Sequence, residues 1–328
     1  MILPGQDAAA ISQAVEALAR GELLGLPTET VYGLAADASR DEAVARIFKA
    51  KGRPADHPLI VHVASQAQVP VFAREVPEFA RRLMDAFWPG PLTLILPRQA
   101  GVATASAGGH DSIGLRCPSH PVAQDVLRAC AVVGIPGLSA PSANQFGRVS
   151  PTRAAHVQSE FGDSLLILDG GECDVGIEST IVDCTRGVPV LLRPGHIGRA
   201  QIEAACGQRL KDKAELAEPA PKASGTLESH YAPRARVRLM DRSQIEARLQ
   251  ALGPHANNLG LWSRERPPET GSGVLWRQQP AHADVAAHEL FAVLRDLDAR
   301  GVQQIWVELP PGAPEWEGVR DRLQRAAA

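Results

Sequence analysis

The stretch KGRPADHPLIVHV (51–63) sets two cations, Lys51 and Arg53, directly ahead of a proline-started apolar run. In extended backbone, side chains two residues apart share a face, so this spacing predicts Lys51 and Arg53 on one side of the chain. Gly52 between them lets a ligand approach the backbone, and two converging cations suit phosphate or carboxylate oxygens. The plainer alternative is a solvated charged turn, because exposed charges contribute little by themselves. The apolar run at 59–63 reads as a strand, and the segments around it decide what kind of sheet it joins.

Upstream, Ile11, Val15 and Leu18 recur at helical spacing over 7–20, with Asp7 as cap and Gly21 as stop. A strand at 23–26, the polar turn PTET and an apolar segment at 31–34 follow. Next comes a helix over 41–50 whose buried stripe is Val44, Ile47 and Phe48. Further strands are expected at 92–96, 113–116, 165–168, 179–183 and 190–193, with helices near 78–86 and 121–131. Strands alternating with helices predict an α/β fold with a largely covered sheet.

After Leu210 the composition shifts: KDKAELAEPAPKASGTLES (211–229) is charged, rich in Pro and Ala, and aperiodic, as in a linker. Beyond Pro233 strands at RVRLM, 258–263, 273–277 and VQQIWVEL are interleaved with helices at 244–252 and 284–300, and a terminal helix closes the chain. That order fits a small doubly wound α/β domain. The expected organisation is a catalytic domain over 1–210, a linker over 211–234 and a C-terminal domain over 235–328.

The chain of 328 residues is long enough for two domains, and 45% hydrophobic content supports a sizeable core. Aromatics are only 4%, so Ala, Leu and Val fill that core. A net charge of −3 gives no general attraction to nucleic acid. Five widely spread cysteines without a C-x-x-C pair argue against a disulfide framework or zinc knuckle and suit a reducing cytoplasm. No signal peptide or bilayer-length apolar run is read, so a soluble cytoplasmic protein without membrane partners is expected.

Several polar segments punctuate the strands. In GLPTETVYGLAADA (25–38), Pro27 stiffens the turn and the Thr30 hydroxyl is placed to meet a polar substrate; a plain turn is the alternative. His62 lies near the end of the 59–63 strand, where a hydrogen-bonded core histidine is the commoner outcome, and no H-e-x-x-h pattern makes it a metal ligand. Arg116 ends a strand in SIGLRCPSHP (112–121), suited to clamp a carboxylate through two bonds or to a surface ion pair. GLSAPSANQFGRVSPT (137–152) crowds Ser139, Ser142, Asn144, Ser150 and Thr152 at a tight turn, where backbone N–H groups and short side chains surround phosphates. VGIESTIVDC (175–184) and VLLRPG (190–195) bring Thr180 and Arg193 to strand ends. A Walker-type loop, a dinucleotide glycine fingerprint and a nucleophile elbow are all missing. Residues alone therefore point to an α/β enzyme with a cationic, hydroxyl-rich cleft for a small anionic substrate and a phosphate ester.

PTETVYGL, the Lys-x-Arg of KGRP, PLIVH, WPGPLT, PSAN, GIEST, LLRPG and HYAP follow in order up to residue 233, and together they resemble the threonylcarbamoyl-AMP synthase family in its longer form. The resemblance implies a YrdC-like twisted mixed sheet with flanking helices, plus a small Rossmann-like C-terminal domain. It implies synthesis of threonylcarbamoyl-adenylate and pyrophosphate from L-threonine, bicarbonate and ATP, with Mg2+ accompanying ATP. The product would pass to a tRNA threonylcarbamoyl-transferase complex acting on the adenosine next to the anticodon; direct tRNA binding by this chain is not decided. By the resemblance, Lys51, Arg53, Ser142 and Asn144 form a catalytic tetrad on triphosphate and carbamate oxygens. Thr30, His62, Arg116, Thr180 and the backbone at Ala140 would hold threonine. His57, Ser112, Ser150, Arg193 and Tyr231 would join the tetrad's Lys51, Arg53 and Ser142 on ATP, with no protein metal ligand. His57 stands where the family more often has Asn, and ASGTLESHYAP departs from its commoner Ser-Pro-Gly form. Residues 224–231 are expected to fold over the site when ATP binds. Two other functions compete: a hydrogenase-maturation carbamoyltransferase, whose acylphosphatase domain and paired C-x-x-C motifs this chain lacks, and an RNA-binding module, which sparse aromatics and acidic balance disfavour.

Overall fold

The computed structural model describes residues 1–216, 221, 230–253, 257–268 and 273–328. They divide into two compact units, Met1–Phe146 with Ser150–Thr226, and Gly147–Val149 with Leu227–Ala328. Most of the expected 224–231 closing segment lies outside the described residues.

In the first unit the strands are β1 (Ile2–Pro4), β2 (Leu24–Leu26), β3 (Gly33–Asp37), β4 (Ile60–His62), β5 (Leu92–Pro97) and β6 (Ser112–Arg116). They are followed by β7 (Leu138–Ser139), β8 (Leu166–Asp169), β9 (Thr180–Asp183), β10 (Val190–Arg193) and β11 (Lys211–Asp212). The helices are α1 (Ala8–Ala19), α2 (Asp41–Lys51), α3 (Val69–Phe72), α4 (Glu78–Phe87), α5 (Pro121–Val132), α6 (Ala154–Phe161) and α7 (Arg199–Cys206). The sheet runs β1-β8-β2-β3-β7-β4-β6-β5-β9-β10-β11 and is mixed: β4 pairs parallel with β6, whereas β5 pairs antiparallel with β6.

Local sequence explains most of these elements. The Asp7 carboxylate accepts from the Ala9 N–H and caps α1, whose Ala14 and Leu18 are fully buried. Val44, Ile47 and Phe48 form the buried stripe of α2 as their spacing requires. Val61, Leu94, Leu115 and Val182 point to one side of the central strands, into a core shared with Leu83 and Ile202 of α4 and α7. Ile60, Ile95, Ile181 and Leu192 form a smaller cluster from intervening strand positions. Within the apolar segment at 31–34 the strand starts at Gly33, and the Tyr32 N–H donates to Pro151 O at 2.9 Å.

The extended geometry expected for Lys51 and Arg53 is corrected by the structure. Lys51 is the last residue of α2, and Gly52 caps that helix in the left-handed region at φ 63°. The Arg53 N–H donates back to Phe48 O at 3.0 Å, which turns the chain sharply out of the helix. The helical run EAVARIFKAK carries its period through Lys51, so the boundary belongs to Gly52 rather than to the cation before it.

The second unit holds β12 (Arg236–Met240), α8 (Arg242–Leu252), β13 (Leu259–Ser263), β14 (Val274–Gln278), α9 (Ala283–Ala299), β15 (Gln304–Glu308) and α10 (Glu317–Ala327). Its four strands are parallel in the order β12-β15-β13-β14, as expected of a small α/β domain. The Ala232 N–H donates to Gly147 O at 2.9 Å, and Arg295 Nη2 donates to Val149 O. Among the described residues no helix is long and apolar enough to cross a membrane.

Candidate active site

Lys51 is 2% exposed, and its Nζ donates to Ser142 O at 2.5 Å and to Asn144 O. The ammonium at the end of α2 therefore ties down the PSAN turn, and the Phe146 N–H returns the bond to Lys51 O at 2.9 Å. Burial, and then the Arg53 guanidinium, push the Lys51 pKa well below its ordinary value. Arg53 donates to His57 O and Pro58 O at 3.3 and 2.9 Å, and its guanidinium lies 5.7 Å from the centroid of the Phe146 ring. His57 meets the same ring edge-on at 5.6 Å. The structure thus brings Lys51, Arg53, Ser142, Asn144 and His57 to one corner. Phe146, which carried no role in the sequence, supplies the apolar surface between Arg53 and His57. An NQFG turn gives no signal for that, because an aromatic residue in a loop becomes a platform only through its neighbours.

The segment that follows the PTET turn is zipped against the same loop. Ala143 N–H donates to Tyr32 O at 2.8 Å and Leu34 N–H to Pro141 O at 2.7 Å, while Ala140 N–H reaches Ile60 O at 3.1 Å. Inside the turn, Thr28 Oγ1 donates to Val31 O at 2.6 Å and sits 3.0 Å from Thr30 Oγ1. Thr28 Oγ1 also accepts from the N–H groups of Thr30 and Val31, both at 3.3 Å. Thr30 Oγ1 thus keeps lone pairs for a further partner.

Beyond the turn, Glu29 and Arg116 form a buried ion pair with 2.8 Å between Oε2 and Nη2, each side chain 5% exposed. The approach is too oblique for a hydrogen bond, so both Glu29 oxygens and Arg116 Nε and Nη2 make none. His62 Nδ1, on the strand position paired with Arg116, is also buried without a hydrogen bond. Buried polar atoms in native proteins nearly always have partners, so a cluster of them marks a place for something else. Sequence reasoning identified Arg116 and His62 but gave Glu29 no role, since only the fold brings residues 29 and 116 together.

Burial, followed by the Arg116 guanidinium, pulls the His62 pKa down to about 3. An unfolded histidine titrates near 6.5, so His62 stabilises the fold above that pH. This share is lost at about 1.4 kcal/mol per unit as pH falls toward the folded value. Replacing His62 by Gln should remove about one proton from the uptake on unfolding near pH 5. An unchanged uptake would mean that His62 is charged in the folded protein.

Thr180 opens β9 and its hydroxyl donates to Ile197 O at 2.9 Å. Arg193 is 3% exposed and donates through Nε and Nη2 to Ser179 O at 3.1 and 2.9 Å, bracing the GIEST segment. Gly195 allows that packing: a Cβ there would stand 2.5 Å from Thr180 N. Ser150 donates to Glu178 Oε1 at 2.5 Å, both buried. Ser112 and Arg116 are the first and last residues of β6, about 13 Å apart along the strand, so Ser112 stands apart from the Arg116 cluster. Tyr231 belongs to the second unit, its ring 5.3 Å from Phe291 and under the Arg322 guanidinium. Among the described residues, no group of three His, Cys, Asp or Glu side chains could hold a metal ion.

The first unit is thus an α/β domain of YrdC type, and comparison with known proteins extends the assignment to the whole chain. The Sua5/YciO/YrdC family model, described as "Telomere recombination", matches residues 16–195, and "Threonylcarbamoyl-AMP synthase, C-terminal domain" matches residues 197–328. The threonylcarbamoyl-AMP synthase of Pyrococcus abyssi is 38% identical over 320 residues, covering 94% of this chain and 91% of that one. That of Bacillus subtilis is 36% identical over 324 residues, covering 97% and 92%. The structure of P. abyssi Sua5 complexed with L-threonine is 37% identical and superposes with a TM-score of 0.87, covering 97% of this chain and 94% of that one. HypF from T. kodakarensis, 19% identical with a TM-score of 0.50 over 57% of this chain and 24% of its own, shares the fold alone. The chain belongs to the threonylcarbamoyl-AMP synthase family, in its two-domain Sua5 form.

Proposed function

We propose that this enzyme condenses L-threonine, bicarbonate and ATP to threonylcarbamoyl-AMP and pyrophosphate, for delivery to a tRNA threonylcarbamoyl-transferase complex. The carrying observation is the buried cluster of Glu29, His62 and Arg116 atoms without hydrogen bonds, next to a strand, β4, that also pairs with β7, the two residues that lead into the PSAN turn. In this assignment Thr30, His62, Arg116, Thr180 and the Ala140 backbone hold threonine, Arg116 by its carboxylate. Lys51, Arg53, Ser142 and Asn144 hold triphosphate and carbamate oxygens, with His57, Ser112, Ser150 and Arg193 toward the nucleotide.

The chemistry suits such a corner. Threonine's amine forms a C–N bond to the bicarbonate carbon with loss of water, and the carbamate oxygen then displaces pyrophosphate from the ATP α-phosphorus. Both steps gather negative charge, so the protein's work is positioning and stabilisation by fixed cations. Mg2+ keeps most of its waters and binds chiefly through nucleotide oxygens, so the donor set here, without a carboxylate cage among the described residues, fits an ion carried by ATP. When bound it would supply charge neutralisation at the phosphates.

Mass detection of products from ATP, bicarbonate and threonine, with serine for comparison, tests the assignment. Threonine should give a threonylcarbamoyl-adenylate and stoichiometric pyrophosphate, well above the serine yield. Pyrophosphate without an amino-acid adduct would refute it.

A further inference from the structure

We propose that Glu29 is a substrate-binding residue, receiving the α-ammonium of the amino acid and taking the proton that leaves before carbamoylation. The inference rests on the threonine assignment above and adds to it a residue that none of the sequence motifs assigned. Glu29 and Arg116 form a buried pair of zero net charge, and an amino-acid zwitterion is the same pair reversed. Arg116 has Nε and Nη2 without hydrogen bonds, the two N–H groups along one edge of the guanidinium, which matches the two oxygens of a carboxylate. Glu29 has both carboxylate oxygens in the same condition, and the hydroxyl of Thr30, the next residue, has lone pairs to offer. Donors on Arg116 and acceptors on Glu29 and Thr30 are the complement of carboxylate and ammonium.

Without a ligand the two side chains face each other obliquely at 2.8 Å, an arrangement that leaves charged atoms buried and incompletely satisfied. A bound zwitterion would give each a hydrogen-bonded partner of opposite charge. The Glu29 backbone is held in place, its carbonyl accepting from Val175 N–H at 2.7 Å, so the two side chains would part to admit the ligand by rotation about their own bonds. The ammonium then passes one proton to a Glu29 oxygen, leaving a neutral amine and a neutral carboxyl group. The freed nitrogen lone pair forms the C–N bond to the bicarbonate carbon, and the bicarbonate hydroxyl leaves as water with a second amine proton.

Calorimetric binding to the full chain tests this with three ligands: L-threonine, 2,3-dihydroxybutanoate, which has a hydroxyl in place of the ammonium, and 1-aminopropan-2-ol, which lacks the carboxylate. The wild-type protein should bind threonine about 100-fold more tightly than either analogue, the scale expected for an unpaired buried charge. Glu29→Gln should lose threonine affinity so that its preference over the dihydroxy acid falls below about tenfold, and Glu29→Asp should restore part of it. ATP affinity should stay the same in both variants. A wild-type protein that binds the dihydroxy acid as tightly as threonine would overturn the proposal without any substitution, even if Glu29→Gln failed to fold. A Glu29→Gln protein that keeps the wild-type preference would also overturn it. In either case continued product formation by the wild type would leave the synthase assignment standing, whereas absence of both threonine binding and product would remove the two together.

Discussion

Lys51→Met should lower pyrophosphate release by about 10^3-fold with the fold retained, the scale of removing a preorganised donor from developing negative charge. Methionine keeps the length and apolar stem of lysine, so α2 and its stripe of Val44, Ile47 and Phe48 should remain packed. It deletes a charge that the protein holds at a cost, since burial and Arg53 both oppose protonation of Lys51. Triphosphate oxygens at this corner would offset that cost by supplying a counter-charge. Methionine also leaves the carbonyls of Ser142 and Asn144 without their common donor, so the turn carrying these two residues should loosen. Each orphaned carbonyl costs about 1–3 kcal/mol. Pyrophosphate release and thermal unfolding measured on one preparation separate the two effects. Turnover near the wild-type rate would remove Lys51 from the tetrad.

The second large effect is expected at the Glu29–Arg116 pair. Arg116→Ala leaves a buried carboxylate without its counter-charge and should destabilise the protein by about 3–5 kcal/mol. It should also raise the threonine requirement about 100-fold while the ATP requirement changes only a few-fold. Adding Glu29→Ala to Arg116→Ala removes the stranded charge and should return at least half of the lost stability, but none of the threonine binding. Denaturant unfolding and steady-state kinetics on the single and double variants give both readouts. If binding and stability recovered together, Arg116 would be structural and the carboxylate clamp would be wrong. Equal effects on threonine and ATP would count against it as well.

The legibility of this chain divides by the range of the interaction. Strand β10 has the bounds expected for it, Val190–Arg193, and α1 starts at the Asp7 cap, because these features are written within a few neighbouring residues. The two-residue strand β7 escaped notice because Leu138 and Ser139 are extended only by their partners in β3 and β4. Helix α6 follows a turn crowded with Ser and Pro and has no side-chain cap, so nothing local announces it. Lys51 illustrates a partial success: the motif identified the right cation, while its expected extended geometry gave way to a helix end and a glycine cap.

Taken by itself, the sequence determined the α/β class, the parallel four-stranded sheet of the second unit, and which polar residues punctuate the strands. Those properties follow from periodicity and turn chemistry, which act between near neighbours. Only the tertiary structure decided what those residues face. Lys51 meets the PSAN turn 91 residues away, Glu29 meets Arg116 from the turn after β2, and the β4–β6 register sets His62 beside Arg116. Register is fixed by long-range strand pairing and burial of whole faces, and a shift of one residue would turn those side chains to the opposite side. The charges were legible in the chain, but their partners were not.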